Sequence, residues 1–187
     1  DVVEMSFSTN ENDSVNFVPK KIQWADIPEN VCSKVRYSPF TFVNNKRNQA
    51  NSLKTLSVLV LDVDGGLSID DCVERLGAYT FHIIPTKSHR QPKDGIIADR
   101  YRIFISLNGI YTFKDNNQYK NTMSVVAKIL NIPDDNKCRE VARMFYPSPD
   151  KELAISGLGR PFNLSECIND YAETGVPILS DSAVMPY

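Results

Sequence analysis

Hydrophobic positions along the chain follow two periods, and the switches between them predict its elements. Alternation over residues 2–8, VVEMSFS, predicts a strand, and the polar TNENDS after it a turn. In KKIQWADIPENV the single tryptophan, Trp24, stands between Ile22 and Ile27 and reads as a core anchor, while Pro19, Pro28 and Pro39 cut the region into short pieces. An aromatic β-type run spans Tyr37 to Val43, and a polar loop then leads into Leu56–Gly66, LSVLVLDVDGG. There the unbroken apolar run Val58–Leu61 predicts a strand buried on both faces. Further strands are predicted over 80–86 (TFHIIPT) and 99–107 (DRYRIFISL). Helical spacing takes over twice. Ser68, with Asp71 in the capping-box position, opens a helix with Ile69, Val73 and Leu76 as its buried stripe, and Gly77 stops it. Asp115 opens a longer helix through Leu130, with Tyr119, Met123, Val126 and Leu130 on one stripe. NKCREVARMFY predicts another helical turn, MFYPSP and ELAISG predict closing strands, and from Asn163 onward the pattern fades.

Composition changes this picture little. A chain of 187 residues suffices for one domain with a proper core, or a core plus a small annex, and the first residue, Asp1, suggests a segment of a longer protein. No apolar run is long enough to cross a bilayer, and no secretory signal is visible. Cys32, Cys72, Cys138 and Cys167 lie far apart without a CxxC pair, which suggests reduced thiols in a cytoplasmic protein rather than a zinc site or a disulfide framework. A net charge of -2 argues against coating nucleic acid by bulk electrostatics. Basic residues do cluster, at Lys46 and Arg47, at Lys87, Arg90 and Lys93, and at Arg100 and Arg102. Such clusters are ordinarily solvated faces, and they matter only where a fold gathers them around one site.

The chemistry concentrates at the end of the Leu56 strand. Strand alternation puts Asp62 and Asp64 on one side and turns Val63 into the core. Two adjacent carboxylates call for a positive group between them, and a hard divalent cation such as Mg²⁺ or Mn²⁺ suits oxygen ligands. A solvated Asp-Gly turn is the alternative. Gly65 and Gly66 let the backbone turn away at once. His82, inside an apolar strand, reads as a packed structural histidine, whereas His89 follows the strand in a polar loop beside Lys87 and Ser88. Arg100 and Arg102 share one strand face and need anionic partners. Asp134 and Asp135 are either helix caps or further acidic ligands. Carboxylates with a cationic, hydroxyl-bearing cluster are what metal-dependent phosphoryl or nucleotidyl transfer requires. Neither a Walker loop nor GxGxxG is present, so side chains must hold any phosphates.

Over residues 36–150 the chain resembles the archaeo-eukaryotic primase superfamily, in its primase-polymerase branch from phages, plasmids and mobile elements. LVLDVDGG is similar to the family's first motif, an apolar strand ending in DxD, which implies that Asp62 and Asp64 bind the catalytic metals. IIPTKSH resembles the second and implies that Lys87, Ser88 and His89 grip the nucleotide's phosphates. DRYRIFISL looks like the RxR strand that follows, bringing Arg100 and Arg102 to the same site. DDNKCREVARMFYPSP resembles the third motif, with Asp135 as third metal ligand and Arg143 as an orienting, nucleotide-binding neighbour; Asp134 and Glu140 are the alternatives to Asp135. Lys46, Arg47 and Asn51, in the loop ahead of the first motif, are the expected template contacts.

The resemblance implies an α+β fold. A mostly antiparallel sheet like an RNA-recognition-motif core (53–162) would carry an α/β annex (1–52) and a C-terminal tail (163–187), with acids on the sheet face and basic groups on the opposite wall. It further implies a primase or polymerase using two divalent cations, NTP or dNTP and a single-stranded DNA template, monomeric in isolation and joined in longer relatives by a helicase. Two rival readings remain. One is a haloacid-dehalogenase-like phosphatase, since hhhhDxDG also opens that family, with Asp62 as nucleophile. The other is a non-catalytic origin-binding or single-strand-binding module in which Tyr37, Phe40, Phe42 and Tyr101 stack on bases.

Overall fold

A computed structural model describes residues 1–133, 135, 137 and 139–168. Its centre is a four-stranded sheet built from β4 (Thr55–Asp64), β5 (Phe81–Pro85), β6 (Arg100–Thr112) and β7 (Ile155–Gly157), in the spatial order β4-β6-β5-β7. Every neighbouring pair is antiparallel. β4 and β5 therefore run the same way, joined across α2 (Ile69–Arg75), with β6 inserted between them. The consequence is geometric. The C-terminal ends of β4 and β5 and the N-terminal end of β6 all lie at one edge of the sheet.

Alternation sorts the strands into two faces. Leu59, Leu61, Val63, Ile83, Tyr101, Ile103 and Ile105 bury one face against α2 and α3 (Asn116–Leu130). The helices meet it through Cys72 and Leu76 of α2, and through Tyr119, Met123, Val126 and Leu130 of α3. Val58, Val60, Ile84 and Phe104 open onto the other face. A second, three-stranded antiparallel sheet covers them, made of β1 (Val2–Ser8), β2 (Phe17–Gln23) and β3 (Tyr37–Ser38) in the order β2-β1-β3, together with α1 (Ile27–Val31). Toward the end of β4 and the start of β6 the residues on this face turn polar, as Asp62, Asp64, Arg100 and Arg102.

Both expected caps form: Ser68 Oγ accepts from Asp71 N at 3.1 Å, and Asp115 Oδ1 accepts from Gln118 N at 2.8 Å. The strand of residues 55–64 is buried on both faces at Val58–Leu61, as its apolar run requires. Four expectations need correction. The aromatic run Tyr37–Val43 is a strand only at Tyr37–Ser38, because Phe40 and Phe42 turn into the helix-side core instead of continuing a ladder. Of the expected helical turn over residues 136–146, Lys137 lies in a 3-10 turn, and no helix forms over the described residues 139–146. Val141 N there donates to Asn116 Oδ1 at 2.9 Å, and Phe145 makes an isolated bridge to Tyr37, so MFYPSP contributes one bridge, not a strand. Leu164, Cys167 and Ile168, expected in a tail, are buried in the helix-side core; residues 169–187 lie outside the described residues. Cys32, Cys72 and Cys167 are free, and among the described residues no helix is long and apolar enough to cross a membrane.

Candidate active site

The strand ends define the site. Asp62 stands directly opposite Arg102, and Asp64 opposite Arg100, in the β4–β6 register. Directly opposed unlike charges on one face are the favourable cross-strand arrangement. Arg102 Nε donates to Asp62 Oδ1 at 3.1 Å, and Arg100 Nε lies 3.0 Å from Asp64 Oδ1. The basic strand residues thus sit beside the acids rather than on an opposite wall, correcting the expected layout. Arg100 is buried, and its Nη atoms donate to the carbonyls of Ser88, Gln91 and Ile96 at 3.0, 2.8 and 3.1 Å. One arginine therefore shapes the whole 86–99 loop. Arg102 also reaches the Tyr37 hydroxyl at 3.1 Å. Burial pushes that phenol's pKa up, so it stays a neutral partner.

After Asp64 the backbone leaves through Gly65 and Gly66, at φ of 101° and 84°. Side chains rarely tolerate such values, and a Cβ on Gly65 would come within 3.3 Å of Ala98 Cβ. The turn exposes Asp64, whose side chain is 44% accessible against 19% for Asp62. Lys93, on the 86–99 loop, lays its ammonium 2.6 Å from Asp64 Oδ2. Sequence reasoning grouped Lys93 with the basic clusters without giving it a role. The signal available was the Lys-Asp-Gly turn, in which Asp94 and Gly95 both take positive φ.

Asp62, Asp64 and Asp135 line one cavity of about 610 Å³, together with Lys87, Ser88, Lys93, Arg100, Arg102 and Arg143. Asp135 Oδ1 accepts from Lys137 N at 3.0 Å, the turn-capping role that was its alternative reading. The three carboxylates share the cavity without closing into a cage: among the described residues no three acidic, His or Cys side chains form a group able to hold a metal ion. Asp134 lies outside the described residues. The donors nevertheless fit a hard divalent cation, because two carboxylates share one strand face and Lys93 shows that a cation seats on Asp64 from the solvent side.

His89 is not among the cavity-lining residues; its Nδ1 accepts from the Arg100 backbone N–H at 3.1 Å, tying the loop to the start of β6. The expected template residues are likewise engaged locally. Arg47 Nε donates to Ser14 O and its Nη1 to Ala142 O, both at 2.7 Å. Lys46 reaches Asn16, and Asn51 donates back to Lys46 O at 3.2 Å. None of the three lines the cavity. Tyr37, Phe40, Phe42 and Tyr101 are all buried, which overturns the idea that they stack on bases. Tyr146, exposed and on the cavity wall, is the aromatic that sequence reasoning missed.

No protein-family model and no curated protein matches the chain. Among solved structures it is similar to the AEP domain of the cyanophage S-2L primase-polymerase, at 10% sequence identity and a TM-score of 0.38, over 89% of this chain and 86% of that one. A likeness that distant assigns neither an activity nor a residue role.

Proposed function

We propose that this chain catalyses template-dependent nucleotidyl transfer, as a primase or polymerase in the replication of a phage, plasmid or mobile element. The observation that carries the reading is the meeting of Asp62 and Asp64 with Lys87, Ser88 and Arg143 around one cavity, from motifs far apart in the sequence and in the order the resemblance demands. Asp62 and Asp64, with Asp135 as third ligand, would hold two Mg²⁺ or Mn²⁺ ions; bound there, such ions supply the charge that activates an attacking oxygen and stabilises the leaving one. Lys87 and Ser88 meet the incoming NTP or dNTP phosphates from the loop, and Arg143 orients them from the facing wall. Arg100 and Arg102 hold the acids in register, and His89 positions the loop that carries Lys87 and Ser88. Single-stranded DNA is the template.

The phosphatase reading is the weaker one. It needs Asp62 as an open nucleophile, yet Asp62 is the more enclosed carboxylate and one of its oxygens is bonded to Arg102.

Asp62→Asn and Asp64→Asn should each lower Mn²⁺-dependent incorporation of labelled nucleotide on a single-stranded template by more than about 100-fold, beyond what losing an outer-shell partner of a metal ligand costs. Arg100 keeps its three carbonyl acceptors in Asp64→Asn, so that variant should stay folded. Near-normal synthesis by either variant would refute the reading.

A further inference from the structure

Four guanidinium groups gather at the short segment Ala142–Tyr146, three from distant parts of the chain and one, Arg143, from the segment itself. Arg47 donates to Ala142 O, and Arg102 donates to Tyr146 O. Arg102 and Arg143 stand 4.8 and 5.5 Å from the Phe145 ring centroid, and Arg36 stacks 4.8 Å over the Tyr146 ring. Asp62 neutralises Arg102. Burial first, and then the like charges of Arg36 and Arg143, lower the pKa of Arg47, with Glu140 acting the other way. The segment therefore carries surplus positive charge.

Two of these groups are also left incomplete. The Nε atoms of Arg36 and Arg143 are buried without a hydrogen-bond acceptor among the described residues. A buried donor on a charged group is costly to leave unmade. Tyr146 adds the second half of a recognition surface. Its side chain is 58% exposed and lines the acidic cavity, whereas Arg36, stacked on it, lies outside that lining. The basic and aromatic track thus continues past the cavity rim.

We propose that Arg36 and Tyr146, next to Arg143, form a docking step for single-stranded nucleic acid, with a backbone phosphate at the Arg36 guanidinium and a base stacked on Tyr146. This deepens the reading above, on which it rests for what occupies the cavity itself. Exposed aromatics beside arginines are the usual platform for strands bound without sequence preference.

Fluorescence anisotropy of a labelled oligothymidylate, in EDTA and without nucleotide, tests the proposal apart from catalysis. Tyr146→Ala should weaken binding about 5- to 100-fold while Tyr146→Phe retains it. Arg36→Gln should reduce the slope of log affinity against log salt by about 0.7, the loss of one single-strand phosphate contact. Binding of a fluorescent dNTP analogue should not change in Arg36→Gln. Wild-type oligonucleotide affinity and salt slope in both Tyr146→Ala and Arg36→Gln would overturn the inference, as would loss of dNTP binding alone. Tyr146 is exposed, so its variants test the surface even if Arg36→Gln folds poorly. Absence of polymerase activity with this binding pattern intact would sink the catalytic reading and leave the docking step standing.

Discussion

Asp64 receives two cations, Lys93 on one oxygen and Arg100 on the other, while Arg102 is the cation on Asp62. The two partners of Asp64 differ in kind. Arg100 is buried and bonded to three carbonyls, so it cannot leave without unmaking the loop. Lys93 is half exposed, and its hydrogen bond to Asp64 raises its pKa, so it stays charged and competes with any other cation for Oδ2. Replacing Lys93 by Met should therefore tighten Mn²⁺ binding several-fold, read from the free-ion electron paramagnetic resonance signal. Equal or weaker binding by the variant would mean that the ammonium does not screen the site. Alternation made it legible that Asp62 and Asp64 share a face. That Arg100 and Arg102 are their direct partners was not, because register belongs to a pair of strands and is written in neither alone.

The element that binds the site loop to the fold is the start of α2. Ser68 caps it as its sequence requires, yet the first helical N–H, that of Ile69, is taken by Asp99 Oδ2 at 2.9 Å. The other oxygen of Asp99 accepts from Arg90 Nε at 2.9 Å, so one carboxylate joins the helix start to both ends of the 86–99 loop. The Ile69 bond first, and then the Arg90 pairing, hold this carboxyl below its usual pKa. Asp99→Ala should cost about 1 kcal/mol in urea unfolding, the typical worth of a lost cap. The sign with pH follows from the lowered folded value. The contribution is complete above the unfolded carboxyl pKa, about 3.9, and is lost as pH falls through the lower folded one. The gap between wild type and variant should accordingly close in acid, and a gap independent of pH would show that the charge is not what matters. No local pattern reveals this cap, since Asp99 comes from a different loop.

The two sheets are locked together at His82, which lies on the covered face of the larger one. Its ring stacks on Trp24 with centroids 4.7 Å apart and planes 21° from parallel. Nε2 donates to Trp24 O at 3.0 Å, and Nδ1 lies 2.6 Å from Ser156 Oγ, so the neutral ring joins the annex, β5 and β7. Burial lowers its pKa. A lowered histidine pKa means that this contact is at full strength above the unfolded value, about 6.5, and fades as pH drops below it, because the unfolded chain takes the proton first. The urea midpoint of the wild type should fall between pH 7.5 and pH 5.5 by more than that of His82→Gln. Parallel declines would remove His82 as the cause. Its structural role was readable from the apolar strand around it; its partner Trp24 was expected in a core but not against this ring.

Local periodicity alone settled which stretches become β4, β5, β6, α2 and α3, the buried stripe of α3, and where Ser68 and Asp115 cap, while in α2 it missed Cys72, which is buried where Ile69 and Val73 are only partly so. These outcomes depend on neighbours one to four residues away, and a chain carries that information wherever it is read. Contacts between distant segments decided the rest. Packing drew Phe40 and Phe42 inward and left residues 139–147 without a helix. Strand order gathered the cavity at one sheet edge, and charge balance around it put Lys93 on Asp64 and left Arg36 and Arg143 each with a buried Nε that lacks an acceptor among the described residues. Electrostatic and packing energies depend on separations in space, and those exist only once the strands have paired.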